Sequence, residues 1–228
     1  EYTQICMLTA EAAILRALEV KGYKADVTAG LSLGEYGALI ACGALSRKDA
    51  FALVRKRGIY MQEAVPEGGA MAAVLALDTA QIEEACKKTE GIVSIANYNC
   101  PGQIVITGEE KAVAAAGELC KEAGAKRVVS LKVSGPFHSA MLKGAGEKLG
   151  EELKHVTVHT PAIPYVANVT ADYVTKEEEI KPLLEKQVSS SVRWQQTIER
   201  LIADGADKFV EIGPGKTLTG FMRKINRD

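Results

Sequence analysis

Three residues of this chain combine a type and a setting that acyl transfer would use: a serine between glycines, an arginine on the inward face of a helix, and a histidine behind a proline turn. Ser32 stands in Gly30-Leu31-Ser32-Leu33-Gly34. The run Ala25-Asp26-Val27-Thr28-Ala29 is short and β-compatible, and Leu33 to Cys42 is rich in helix formers without proline. Ser32 is therefore predicted at a sharp strand-to-helix turn. At such an elbow the glycines let the backbone pass close to its neighbours, the hydroxyl projects outward, and the N–H of Leu33 points at a developing oxyanion. The G-x-S-x-G spacing alone is weak, because small-residue-rich chains produce it by chance.

The arginine is Arg57. Ser46 precedes Asp49 at capping-box spacing and starts a helix that runs to Ala64, ahead of Pro66 and Gly68-Gly69. Its apolar stripe passes through Ala50, Leu53, Val54, Met61 and Ala64, with Arg57 at its centre. An inward guanidinium needs an anion, because burying it unpaired costs several kcal/mol. A ligand carboxylate held bidentately is one solution; an internal carboxylate, or a side chain snorkelling past the core edge, is the other. The histidine is His138, in Val133-Ser134-Gly135-Pro136-Phe137-His138-Ser139. The Gly-Pro turn returns it toward Ser32, where a general base would be needed. His155 and His159 are predicted on one polar strand face roughly 13 Å apart, at about 3.3 Å per residue, too far for a shared metal.

The elements that must position these residues follow from periodicity. A helix over Leu8 to Val20 is predicted to bury Ala13, Ile14, Ala17 and Leu18. Residues 69–134 read as strand, helix, strand, strand, helix, strand: Met71 to Leu77, Thr79 to Lys88, Ile92 to Tyr98, Gln103 to Thr107, Glu110 to Ala123 and Lys126 to Val133. That βαββαβ order is ferredoxin-like. After it come a helix over Leu142 to Leu153, strands over His155 to His159 and Ile163 to Asn168, a polar helical stretch near Lys181, a helix from Trp194 to Asp204 and a strand over Lys208 to Ile212. The expected architecture is a large α/β domain, residues 1–68 and 135–228, interrupted by a small ferredoxin-like domain, residues 69–134.

Composition narrows the function classes. With 228 residues, 47% hydrophobic and 25% charged, the chain can bury a sizeable core. Its 28 Lys and Arg nearly cancel 29 Asp and Glu, and no basic stripe interleaves with aromatics, so nothing points to a nucleic-acid partner. No apolar run approaches the roughly 20 residues of a membrane span, and no signal pattern opens the chain; a soluble cytoplasmic protein is expected. The five scattered cysteines show neither a disulfide framework nor zinc-ligand spacing and read as buried or half-buried thiols. Gly213-Pro214-Gly215-Lys216-Thr217 fails as a phosphate loop, because Val210 stands where a glycine is required. It reads as a strand-to-helix turn. Asn97, Asn99 and Gly102 could hydrogen-bond a ligand, although turn chemistry also explains Asn-Cys-Pro-Gly. Asn168-Val169-Thr170 matches a glycosylation sequon but has no secretory context.

Five motifs in order, Gly-Leu-Ser-Leu-Gly-Glu-Tyr at Ser32, Arg57-Gly58 with Met61-Gln62-Glu63-Ala64, Asn97 to Gln103, Gly135 to Ser139 and Glu211 to Lys216, resemble the signatures of bacterial malonyl-CoA:acyl-carrier-protein transacylases along essentially the whole chain. The resemblance implies a hydrolase-like α/β parallel-sheet core with an inserted ferredoxin-like domain, an active site between them, and a place in fatty-acid biosynthesis. It makes Ser32 the nucleophile, His138 the base and later acid, Arg57 the clamp for the malonyl carboxylate, and Gln187 the residue whose main-chain carbonyl orients the histidine. Leu33 N–H supplies one oxyanion donor, and Met61, Asn97 and Phe137 line the substrate site, Phe137 crowding any α-methyl group. The implied partners are malonyl-CoA and holo acyl carrier protein, with no metal or redox cofactor, no membrane, and a monomeric enzyme.

Two departures stand out: Leu31 precedes the nucleophile where the family commonly has histidine, and the family's leading strand and Gly-Gln-Gly loop, which contributes the second oxyanion donor, do not precede Glu1. From the second, residues 1–228 alone are expected to be unstable or nearly inactive. Rival readings are a serine esterase or thioesterase, which would have no use for an inward Arg57, a polyketide-type acyltransferase domain, and a non-catalytic carrier-protein-binding fragment.

Overall fold

The computed structural model describes residues 2–133 and 135–227. Ser134, within the histidine turn singled out above, lies outside the described residues. The elements run α1 (Thr3–Val20), β1 (Thr28–Ala29), α2 (Gly34–Ala41), α3 (Arg47–Ala64), β2 (Gly69–Leu75), α4 (Thr79–Lys88), β3 (Val93–Cys100), β4 (Gln103–Glu109), α5 (Glu110–Glu122), β5 (Arg127–Ser130), α6 (Lys143–Lys154), β6 (Tyr165–Val166), β7 (Tyr173–Val174), α7 (Glu177–Gln187), α8 (Trp194–Ala203) and α9 (Thr217–Ile225). Among the described residues, no helix is long and apolar enough to cross a membrane.

Two sheets organise the described residues. The larger part carries β1, β6 and β7, with β1 parallel to β6 and β7 antiparallel to it. Leu8, Tyr36, Leu39, Leu53, Leu149 and Tyr165, all but fully buried, form its core between this sheet and the surrounding helices. The other sheet is antiparallel throughout, in the order β3-β4-β2-β5. With α4 and α5 this is the ferredoxin-like βαββαβ order read from periodicity, and Val74, Ile82, Ile104, Ile106, Val113 and Cys120 fill the layer between sheet and helices. The two parts meet where Tyr98 donates its N–H to the Val192 carbonyl and Val192 donates to that of Ala96. They also meet at Gly69, where a Cβ would stand 2.3 Å from the Pro136 ring.

The structure corrects three local expectations. Residues 155–159 form no strand: the N–H of His159 bonds to Ala44 and that of Ala162 to Cys42, so this segment is satisfied by the α2–α3 turn. Residues 208–212 form no strand either, having no ladder partner among the described residues, and Val210 is exposed. Alternation can propose a strand, but only a neighbour can satisfy one. Helix α1 buries Leu8 and Ala12 and leaves Ala13, Ile14 and Ala17 exposed; it is apolar nearly all round, so periodicity does not select its inner face. Of the cysteines, Cys42, Cys86, Cys100 and Cys120 are buried and Cys6 is exposed. Burial pushes the Cys86 thiol up to about 12.

Candidate active site

The elbow is built by a close approach. A Cβ on Gly30 would lie 1.9 Å from the Gly34 carbonyl oxygen and 2.6 Å from the Glu35 nitrogen, so the first turn of α2 can rest on the end of β1 only if residue 30 is glycine. Gly34 is different: a Cβ there would meet open space. Between them Ser32 takes φ +54°, a left-handed conformation that costs a non-glycine residue about 1–3 kcal/mol unless its surroundings hold it. Gly30→Ala is expected to lower stability by about 1–3 kcal/mol or more through this overlap, measured by urea unfolding, whereas Gly34→Ala should leave the midpoint unchanged. Equal effects of the two substitutions would mean that the approach at Gly30 is not what limits the turn.

His138 also sits at positive φ, +58°, immediately after the proline turn. Its Nε2 lies 2.7 Å from Ser32 Oγ and its Nδ1 2.9 Å from the Gln187 carbonyl oxygen. A carbonyl can only accept, so the proton resides on Nδ1 and Nε2 is left bare to receive the serine proton. Burial, reinforced by the positive charge of Arg57, lowers the imidazole to about 4, against a weaker upward pull from the main chain at Gln187 and Ser190. The ring is thus neutral and competent as a base throughout the physiological range. The steep acid limb of kcat/KM for acylation is accordingly expected near pH 4, checked by a pH–rate profile. Burial raises the Glu35 carboxyl to about 7, so any shallow inflection there should vanish in Glu35→Gln. A steep limb at the ordinary histidine value would show that His138 is not buried as described.

Arg57 is 2% exposed. Its Nη2 donates to Ser32 Oγ and to Gln187 Oε1, both at 3.0 Å, and its Nη1 donates to Gln4 Oε1 at 2.6 Å. These partners are neutral, and among the described residues no carboxylate comes within ion-pair distance of it. Of the readings open for an inward arginine, the internal ion pair is therefore not the one found. Burial lowers the guanidinium from its ordinary value, opposed by Tyr36 and Glu35.

Gln187 ties these groups together. Besides accepting from His138 and Arg57, it donates through Nε2 to the Ser32 carbonyl at 2.9 Å and to Glu35 Oε2 at 2.7 Å. Met61, one turn after Arg57, is buried, and its sulfur accepts from Gln4 Nε2 at 3.7 Å. Phe137 is half-buried and packs on the cores of both parts of the molecule. Leu33 forms the N-cap of α2, directly after the nucleophile. Asn97 lies at a bulge of β3 and bridges to Val192; no hydrogen bond joins it to Ser32, Arg57 or His138 among the described residues. The Gly213 turn leads into α9, whose first turn is capped by Glu211, accepting from the N–H groups of Leu218 and Thr219.

Sequence reasoning missed four participants. Gln4 continues the buried α1 series Leu8 and Ala12 at i, i+4 spacing, a signal available in the sequence. Glu35 is a lone acid in the otherwise apolar helix α2, a second available signal. The side chain of Gln187 and the whole of Asn168, whose amide bonds to Ser32 and Gly30, carry none.

Residues 1–227 match the acyl transferase domain family. The chain is 50% identical over 228 residues to the malonyl CoA-acyl carrier protein transacylase of Bacillus subtilis, covering 98% of this chain and 72% of that one. It superposes with TM-score 0.96 on an acyl carrier protein S-malonyltransferase from Vibrio cholerae, 43% identical, covering 99% of this chain and 75% of the other. It is equally similar in fold, at TM-score 0.96 and 44% identity over 99% of this chain and 74% of the other, to a malonyl-transacylase solved with a type II polyketide-synthase acyl carrier protein.

Proposed function

The chain belongs to the acyl transferase domain family, among the malonyl CoA-acyl carrier protein transacylases, and on that premise we propose that it moves a malonyl group from malonyl-CoA to the phosphopantetheine thiol of acyl carrier protein through an ester on Ser32. The observation that carries this reading is the buried Arg57 guanidinium, which lies 3.0 Å from the nucleophile oxygen and is paired with no carboxylate among the described residues. A site that handled only neutral acyl groups would gain nothing from such a charge, whereas a malonyl group brings the anion it needs.

The first half reaction begins when the Ser32 hydroxyl proton passes to His138 Nε2 and Oγ attacks the thioester carbonyl. The imidazolium is stabilised through its Nδ1–H by the Gln187 carbonyl, which does the orienting that a carboxylate does in other serine enzymes. The negative oxygen of the tetrahedral intermediate faces the Leu33 N–H at the start of α2, where the helix N-terminus favours anions. Collapse breaks the C–S bond, and His138 returns the proton to the departing CoA sulfur. In the second half reaction the carrier thiol gives its proton to His138, its sulfur attacks the ester, and Ser32 Oγ leaves and recovers the proton. Arg57 holds the malonyl carboxylate through both halves, with Gln4 fixing the far side of the guanidinium. The test is intact-mass measurement. Malonyl-CoA should add one malonyl group, located on Ser32 by peptide mapping, and holo carrier protein should remove it with gain of the same mass. Release of free malonate in place of transfer would favour a thioesterase.

A further inference from the structure

We propose that Asn168 is a positioning residue for the reaction: its side-chain amide replaces a missing rung of the parallel sheet and so holds Ser32 in the left-handed conformation that aims Oγ at His138. The inference rests on the reading of Ser32 as the acylated nucleophile. Strands β1 and β6 pair with Thr28 opposite Tyr165 and Ala29 opposite Val166. Two residues further, Asn168 stands opposite Leu31. In a parallel ladder the residue opposite Leu31 would donate to the carbonyl before it and accept from the N–H after it.

The chain no longer does this with its backbone, because the Asn168 N–H goes to the Glu35 carboxyl and the Asn168 carbonyl accepts from the Arg193 N–H. The side chain does it instead. Asn168 Nδ2 donates to the Gly30 carbonyl and Oδ1 accepts from the Ser32 N–H, both at 2.6 Å. Asn168 is fully buried, and its own N–H is held by Glu35 Oε2 at 3.3 Å. Of the short side chains only asparagine carries a neutral donor and acceptor in one plane, as a peptide group does. Ser32 is thereby gripped on both sides, its N–H by Asn168 and its carbonyl by Gln187. The same burial removes the Asn168 sequon from any role as an attachment site in the folded chain.

The experiment compares wild type, Asn168→Ala and Asn168→Asp, each shown folded by circular dichroism and normalised to folded protein. Two rates are read: malonyl-CoA turnover and modification of Ser32 by a small uncharged phosphonofluoridate, which needs the nucleophile but not Arg57. Asn168→Ala is expected to lower kcat at least tenfold and to slow phosphonylation in parallel, with KM for malonyl-CoA within threefold. Should that variant not fold, Asn168→Asp, which keeps the shape and the bond from Ser32 N–H but loses the donor to Gly30, decides the matter by the same split with at least a threefold fall. Unchanged rates per folded molecule, or a loss confined to KM, would overturn the proposal. Failure of wild type to form the Ser32 ester would instead overturn the functional reading itself.

Discussion

Ser32→Ala is expected to abolish covalent malonylation and to lower transfer by about 10⁶-fold, the scale seen when a serine nucleophile is removed from a pre-organised site. The alanine leaves the left-handed backbone and the grip of Asn168 and Gln187 on residue 32 in place, so the protein should fold as before and the loss should lie in chemistry. His138→Ala is expected to be milder, about 10²- to 10⁴-fold in both half reactions, because the oxyanion donor and the Arg57 clamp remain. The measurements are single-turnover acylation followed by mass spectrometry and chase with holo carrier protein. Stoichiometric acylation of the Ser32→Ala protein would remove Ser32 from the mechanism.

Arg57→Ala should separate acyl groups. Truncating one partner of a buried charge pair costs about 2–5 kcal/mol, which corresponds to about 30- to 5,000-fold in kcat/KM for malonyl-CoA. Acetyl-CoA, with no carboxylate to hold, should lose far less. Arg57→Lys should rescue only in part, since an ammonium cannot reproduce the fork that reaches Gln4 on one side and Ser32 on the other. The pH dependence supplies an independent reading. Arg57 is one reason the free His138 is held near 4. A malonyl carboxylate that neutralises Arg57 relieves the repulsion and raises the histidine in the complex. The acid limb of kcat should therefore lie at higher pH than that of kcat/KM with malonyl-CoA, and the gap should close with acetyl-CoA. Equal losses for the two substrates in Arg57→Ala would mark a purely structural arginine.

The parts of the site legible in the sequence are those encoded over a few residues. Glycine at position 30 with serine two places on, Arg57 in the middle of an apolar helical stripe, and a histidine after Gly-Pro each announce a local geometry, because turn sterics and helical periodicity act at short range. The ferredoxin-like order was legible for the same reason: each strand and helix in residues 69–130 carries its own period. The failures at 155–159 and 208–212 mark where that logic stops, since a strand exists only if another segment completes its ladder.

Only the tertiary structure decided what each polar group holds. Asn168 reaches Ser32 across 136 residues and Gln187 reaches it across 155, distances at which sequence pattern carries no register. Read along the chain, Asn168 is an empty sequon and Gln187 the polar end of a helix. Once β6 lies beside β1 and α7 closes over the elbow, their amides are the partners that a buried, left-handed serine requires, because a peptide group withdrawn from water must be satisfied by whatever the fold brings within reach.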